Sequence, residues 1–174
     1  MIRTATADDV PAIAAMIREL AEYEKAGHEV EATEEHLHRA LFGDNPAVFA
    51  HMAETDGVVE GFALWFLNFS TWQGVHGIYL EDLYVRPGAR GRGHGRALLA
   101  ELARICDERG YGRLDWSVLD WNAPSIAFYR ALGAVPMDEW TGFRLTGEPL
   151  RQLGGSATGT AGSAAGDLAY GRRA

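Results

Sequence analysis

Hydrophobic and polar positions divide this chain into runs of two different periods. IRTA alternates briefly as a short strand, and TADDVPAIAAMIRELAEYEKAG follows with Ile13, Met16, Ile17 and Leu20 on one helical stripe. Thr6 or Asp8 suits the cap of that helix, Pro11 falls in its first turn, and Gly27 is expected to end it. TEEHLHRALFG predicts a second helix, with Thr33 as cap and two glutamates in the first turn, where the helix dipole favours them. VFAHMAE and VVEGFALWFLNF, joined by TDG, predict a hairpin, and HGIYLEDLYV a third strand. GRALLAELARICDERG returns to the helical period through Ala97, Leu98, Leu102, Ile105 and Cys106. RLDWSVL then predicts a strand, APSIAFYRALG a helix closed by Gly133, and GFRLTGEPL a last strand.

The order strand, helix, helix, three strands, helix, strand, helix, strand predicts a mixed α/β (α+β) fold. Its sheet is largely antiparallel and is followed by a parallel crossover. A single domain over 1–153 accounts for these elements. From Gly154 the chain becomes rich in Gly, Ala, Ser and Thr, so 154–174 is expected to be a flexible tail.

Composition narrows the function. The chain has 24 Asp and Glu against 16 Lys and Arg, a net charge of -8. That balance argues against binding nucleic acid over a broad basic face and suits a small cationic substrate. No apolar run approaches the roughly 18–20 residues a bilayer requires. The first residues lack the basic and then apolar layout of a secretory signal. One cysteine, Cys106, leaves no internal disulfide and fits a reducing compartment, so a cytoplasmic location is expected. No metal is expected either, because Cys106 falls on an apolar helix face and the six histidines show no ligand spacing with it.

Against this acidic background, RPGARGRGHGR (86–96) carries four arginines and four glycines between a strand and a helix. Amides at a helix start lack internal acceptors and lie at the positive end of the dipole, so the loop suits an anion. The P-loop pattern fails, since no Lys followed by Ser or Thr comes after the glycines; the dinucleotide pattern fails because Arg96 stands where a glycine is required. A solvated basic turn is the plain alternative.

Arg90-x-x-Gly93-x-Gly95, in this strand-to-helix context, resembles the acetyl-CoA signature of the GNAT N-acetyltransferases. YLEDLYV before the loop and DWNAPSIAFYRALGA after the next strand resemble the spermidine/spermine (diamine/thialysine) N-acetyltransferase branch. The likeness runs from IRTATADD through ELAEYE to about Leu150. It implies the GNAT acyl-CoA N-acyltransferase fold, acetyl-CoA as co-substrate and a homodimer. It further implies that Arg90 and the amides of Gly91, Arg92, Gly93, His94, Gly95 and Arg96 hold the pyrophosphate of coenzyme A. Leu83, Tyr84 and Val85 would pair their backbone with the pantetheine arm, and Asn122 and Ser125 would contact the same region. Tyr129 would protonate the leaving thiolate, and Glu81 would act as base through water.

The residues themselves support parts of this reading. An aliphatic ammonium with a pKa near 10.4 keeps only on the order of one free amine in a thousand at neutral pH, so a base is needed. Glu81 and Asp82 are candidates, but in a regular strand they point to opposite faces, and only one faces the amine unless a bulge intervenes. Glu81 is the favoured base, with Asp82 assisting or binding the amine; a surface carboxylate pair is the alternative. Asn122, Ser125 and Tyr129 share one helix face by spacing, although Phe128-Tyr129 also suits a core. Tyr23 and Glu24 match substrate-contacting positions of the polyamine enzymes, and an aromatic ring beside a carboxylate suits a cation. An exposed helix end is the other reading of that pair.

One departure bears on the substrate. The polyamine enzymes carry acidic residues just before a Gly-aromatic-Arg triplet, whereas here Trp140 and Thr141 precede Gly142-Phe143-Arg144. A shorter diamine or a lysine-like amino acid therefore stands beside a polyamine as the expected acceptor. The rival readings are an antibiotic-type or protein amine, and a CoA-binding sensor whose catalysis has lapsed.

Overall fold

Among the described residues, five strands form one sheet in the order β1-β2-β3-β4-β5, with β1 at Ile2–Thr4, β2 at Phe49–Thr55, β3 at Val58–Ser70, β4 at Val75–Val85 and β5 at Leu114–Trp116. All neighbours are antiparallel except β4 and β5, which run parallel. The molecule is known here from a computed structural model that describes residues 1–156, and it divides into two units, 1–123 and 124–174. The sheet and helices α1 (Val10–Tyr23), α2 (Glu34–Phe42) and α3 (His94–Arg109) belong to the first unit.

Local chemistry starts each element where the sequence signals it. The Thr6 amide and hydroxyl donate to Asp9 Oδ2 at 2.7 and 3.0 Å, and Arg3 clamps the same carboxylate with both terminal nitrogens at 2.7 and 2.8 Å. This holds the Asp9 carboxyl down at about 2 and fixes the turn that feeds α1. Thr33 caps α2 by accepting from the His36 amide at 3.2 Å. The expected TDG hairpin closes through Asp56 (φ 50) and Gly57 (φ 79), the paired left-handed residues of a type I′ turn.

Register fixes which side chains share a face. Ala50 opposes Leu64, Met52 opposes Phe62, and Phe62 opposes Tyr84. These residues form one buried cluster with Val10, Ile13, Ala14 and Met16 of α1 and Leu37 and Leu41 of α2. The opposite face, carrying Ala63, His51 and Trp65, takes α3, whose Glu101 lies 3.9 Å from His51 Nε2. Leu98, Leu99, Leu102, Ile105 and Cys106 are the buried stripe of α3.

Three expectations need correction. Gly27 does not end the first helix: α1 stops at Tyr23, and Lys25, at φ 62, makes the left-handed turn after it. The strand expected over RLDWSVL shrinks to Leu114–Trp116, because it pairs only with Ile78–Leu80 before β4 changes register. GFRLTGEPL forms no strand. Residues 142–146 have no regular structure and Gly147–Ser156 form α5, started by Gly-Glu-Pro and braced by Arg151 on Glu148 at 2.8 Å. Charge and proline in a first turn outweigh the short alternation there.

The second unit opens within α4 (Ala123–Ala131), and its described residues end with α5. The expected tail meets the described residues only at Gly154, Gly155 and Ser156, which close α5; 157–174 lie outside them.

Candidate active site

Two strands of the sheet each carry one extra residue, and both extra residues are glutamates. On β3, Gly61 opposes Ala53 while Val59 opposes Glu54, which leaves Glu60 unmatched. On β4, Leu80 opposes Trp65 while Asp82 opposes Leu64, which leaves Glu81 unmatched. Each bulge turns a side chain out of the two-residue alternation.

At the second bulge, the condition attached to the carboxylate pair is met. Asp82 shares the α1-facing side with Leu64 and Tyr84, although Leu80, two residues earlier, faces the other way with Trp65. Glu81 lies within electrostatic reach of it, and so does Glu24 just beyond the end of α1. Burial, the Glu81 charge and the Glu24 charge together push the Asp82 carboxyl up to about 6. Burial also raises Glu24. The structure thus gathers the sequence-selected carboxylates Glu24 and Glu81 around Asp82.

Aromatic side chains border this cluster. The Tyr23 hydroxyl donates to Asn122 Oδ1 at 3.3 Å, and its ring lies 5.9 Å from that of Trp121. The Arg90 guanidinium sits 5.2 Å from the Tyr23 ring and 5.7 Å from the Tyr84 ring, while its Nε donates to Val85 O at 2.9 Å. Arg90 therefore spans the end of β4 and the end of α1.

Among the described residues, β4 beyond Leu80 is paired on one edge only, by β3. The Arg86 amide donates to Glu60 O, so Tyr84 and Asp82 occupy the bonded positions of the antiparallel ladder. Leu83 and Val85 then turn their amides and carbonyls to the other edge, where Val85 O accepts from Arg90.

The glycine loop reaches α3 through two left-handed residues, Gly91 at φ 77 and Gly93 at φ 87, and a Cβ on either would meet nothing within 4 Å. Backbone conformation, not crowding, requires glycine here. The Ala97 amide donates to Gly93 O at 2.9 Å, leaving the first-turn amides of His94, Gly95 and Arg96 without an intrahelical acceptor. From the first bulge, Glu60 meets His94 Nε2 at 2.9 Å and Arg92 at 3.4 Å. Arg86 pairs with Glu19 at 3.2 Å. Among the described residues, Arg96 alone of the loop's four arginines is in neither an ion pair nor an aromatic contact.

Sequence reasoning passed over Glu60. The signal was present: a glutamate next to glycine breaks the apolar run VVEGFALWF. It also passed over Lys25 and Trp121. In the second unit, α4 carries Ser125 and Tyr129 four residues apart on one face, with the Phe128 ring 5.3 Å from that of Tyr129. Cys106 is buried, its Sγ 3.6 Å from Arg113 O, and burial raises its thiol.

A family model described as the acetyltransferase (GNAT) family matches residues 13–134. The chain belongs to this GNAT family. As a GNAT acetyltransferase it is 39% identical over 166 residues to the thialysine N-epsilon-acetyltransferase of Bos taurus, spanning 89% of this chain and 97% of that protein. It is 31% identical over 197 residues to the L-ornithine N5-acetyltransferase NATA1 of Arabidopsis thaliana, spanning 87% and 86% respectively. Among solved structures, an integron cassette protein from the mobile metagenome of V. cholerae matches this GNAT fold with a TM-score of 0.74 at 27% identity, over 88% of this chain and 96% of that one.

Proposed function

We propose that this GNAT enzyme transfers the acetyl group of acetyl-CoA to a primary amine of a small cationic substrate: a polyamine, a diamine or a lysine-like amino acid. The observation that carries the reading is the β4 bulge, which sets Glu81 and Asp82 together with Glu24 and lifts Asp82 to about 6. Such a cluster attracts an ammonium by charge and contains a carboxylate able to accept its proton near neutral pH.

Acetyl-CoA, when bound, supplies an electrophilic thioester carbonyl. The chain's own groups suit it: the loop glycines Gly91 and Gly93 and the first-turn amides of His94 to Arg96 for the pyrophosphate, and the β4 edge at Leu83 and Val85 for the amides of the pantetheine arm. Asp82 accepts the ammonium proton, directly or through water held by Glu81, and Tyr23 and Glu24 orient the cation. The amine nitrogen would bond the carbonyl carbon as the carbon–sulfur bond breaks; Tyr129, as the resemblance implies, would give its hydroxyl proton to the departing thiolate and recover one from the newly acylated nitrogen, directly or through water. With Cys106 buried and its thiol raised, direct attack in a ternary complex needs no acyl-enzyme. The resemblance also supports a homodimer, which light scattering would measure.

Thermal melts with acetyl-CoA, followed by thiol release over a panel of polyamines, diamines, lysine analogues, aminoglycosides and peptides, test the reading. A stabilising shift with acetyl-CoA and turnover of the small cationic amines is expected. A shift without any turnover would support the sensor reading; turnover confined to aminoglycosides or peptides would move the acceptor. Tyr129→Phe should cut turnover while leaving the acetyl-CoA shift nearly intact, and full activity would remove it as the acid.

A further inference from the structure

Three helices of this molecule end in the same backbone motif, and one of the three breaks its usual rule. After α3, the Tyr111 amide donates to Cys106 O and the Gly110 amide to Asp107 O, with Gly110 at φ 66. After α4, Ala134 donates to Tyr129 O and Gly133 to Arg130 O, with Gly133 at φ 88. After α1, Ala26 donates to Ala21 O at 2.8 Å and Lys25 to Glu22 O at 3.1 Å, with Lys25 at φ 62. The left-handed position of this cap belongs to glycine on steric grounds, and a lysine there is strained. Gly27 stands two residues further on, unused for the purpose.

That residue is also the only lysine in a chain with fifteen arginines. Its ammonium lies 5.8 Å from the Trp121 ring, which packs 5.9 Å from Tyr23. Among the described residues Lys25 has no carboxylate within ion-pair distance, although its chain neighbour Glu24 belongs to the acidic cluster with Asp82. A strained residue held beside a site points to a use for its side chain. The cluster and its rim therefore carry opposite charges: carboxylates at Glu24, Glu81 and Asp82, and an ammonium without an ion-pair partner among the described residues over Trp121, whose ring packs against Tyr23.

We propose that Lys25 is a specificity-determining residue that receives the carboxylate of an amino-acid substrate whose remote primary amine occupies the acidic cluster. It thereby selects ornithine- or lysine-type amino acids over the diamines that lack the carboxylate. The second ammonium of a diamine meets a like charge at Lys25, whereas a carboxylate meets an opposite one. This inference rests on the amine-acetylation reading above, and it adds the choice among the acceptors.

Ornithine with putrescine, and lysine with cadaverine, are matched pairs that differ only in the carboxylate. Steady-state kinetics on both pairs, with Lys25→Asn, Lys25→Gly and Lys25→Arg, test the assignment; Asn and Gly are at ease in the left-handed conformation, so folding is preserved. Removing the charge should lower kcat/KM for ornithine about fivefold, with putrescine unchanged or improved, and Lys25→Arg should keep most of the preference. An equal fall for both members of a pair, or no change for ornithine, would overturn the assignment. Because the chain has one lysine, protein labelled with 13C-lysine gives a single ε-carbon resonance. Ornithine should move that resonance at concentrations where putrescine does not, and equal responses would also overturn the assignment. If no amine is turned over, the function proposed above fails, while this resonance still decides whether Lys25 meets a carboxylate.

Discussion

The two bulges of the sheet use one backbone device to opposite electrostatic ends. Glu60 leaves the β3 alternation and meets the His94 ring at 2.9 Å and the Arg92 guanidinium at 3.4 Å. Glu81 leaves the β4 alternation and meets more negative charge, from Asp82 and, through it, Glu24. The first carboxylate is neutralised and ties a glycine loop to the sheet. The second belongs to a group in which the charges of Glu81 and Glu24 oppose the ionisation of Asp82. A bulge supplies position; the neighbouring charges decide whether the group serves as a tie or as a proton acceptor.

The largest expected effect comes from removing the charge at Asp82. Asp82→Asn should lower kcat/KM for the amine by about a hundredfold or more, the scale of a lost general base. It should also make the protein more stable at pH 7.5. The folded-state carboxyl titrates at about 6 against 3.8 for an ordinary Asp, so the ionised form is the costly one in the fold. Wild-type stability from this group is complete below pH 4 and is lost as pH rises through 6. The amide variant escapes that loss, a gain on the order of 2 kcal/mol at pH 7.5 that vanishes toward pH 4. Melts of both proteins from pH 4 to 8 measure it; a variant less stable than wild type at pH 7.5 would break the contrast between the bulges.

Glu81→Gln sharpens the same contrast. With one neighbouring negative charge gone, Asp82 should titrate lower, and the acidic limb of the kcat/KM profile should move below pH 6. A limb that stays in place would mean that burial and the Glu24 charge set the value.

The glycine loop gives the next effect. Gly93→Ala puts a Cβ at φ 87, where only conformation opposes it, and should cost about 1 kcal/mol of stability. Turning one or two amides away should weaken acetyl-CoA binding about tenfold in a calorimetric titration. Unchanged binding would detach the loop from the cofactor.

Period and punctuation made most of the fold legible in the sequence, because α1 and α3 bury stripes at helical spacing, while β2, β3 and β4 are apolar runs bounded by turn residues. The loop was legible for the same reason: its glycines interrupt a strand-to-helix transition where little else explains them. What escaped was set by tertiary partners. β5 is short because its neighbour bulges, a register event that LDW itself does not encode. The grouping of Glu81 with Asp82 hinges on the extra residue opposite Leu64 and Trp65, so alternation alone assigned them to opposite faces. Lys25 escaped because a glycine two residues away offered the more ordinary helix stop.

Glu60→Gln should produce the smallest and most selective change. The Glu60–His94 pair is mostly withdrawn from solvent, with side chains 18% and 12% exposed, so losing its charge should cost about 1 kcal/mol. His94 is the first residue of α3, and Arg92 lies within the loop, so the variant loosens both ends of the proposed phosphate cradle without removing any amide. Acetyl-CoA affinity should fall about threefold, less than for Gly93→Ala, since the donors remain and only their order is reduced. The pH profile for the amine should not move, because Asp82 feels Glu81 and Glu24 and owes nothing to Glu60. A shifted acidic limb in Glu60→Gln would show that the two bulges act as one electrostatic unit, and the division between tie and base would fall.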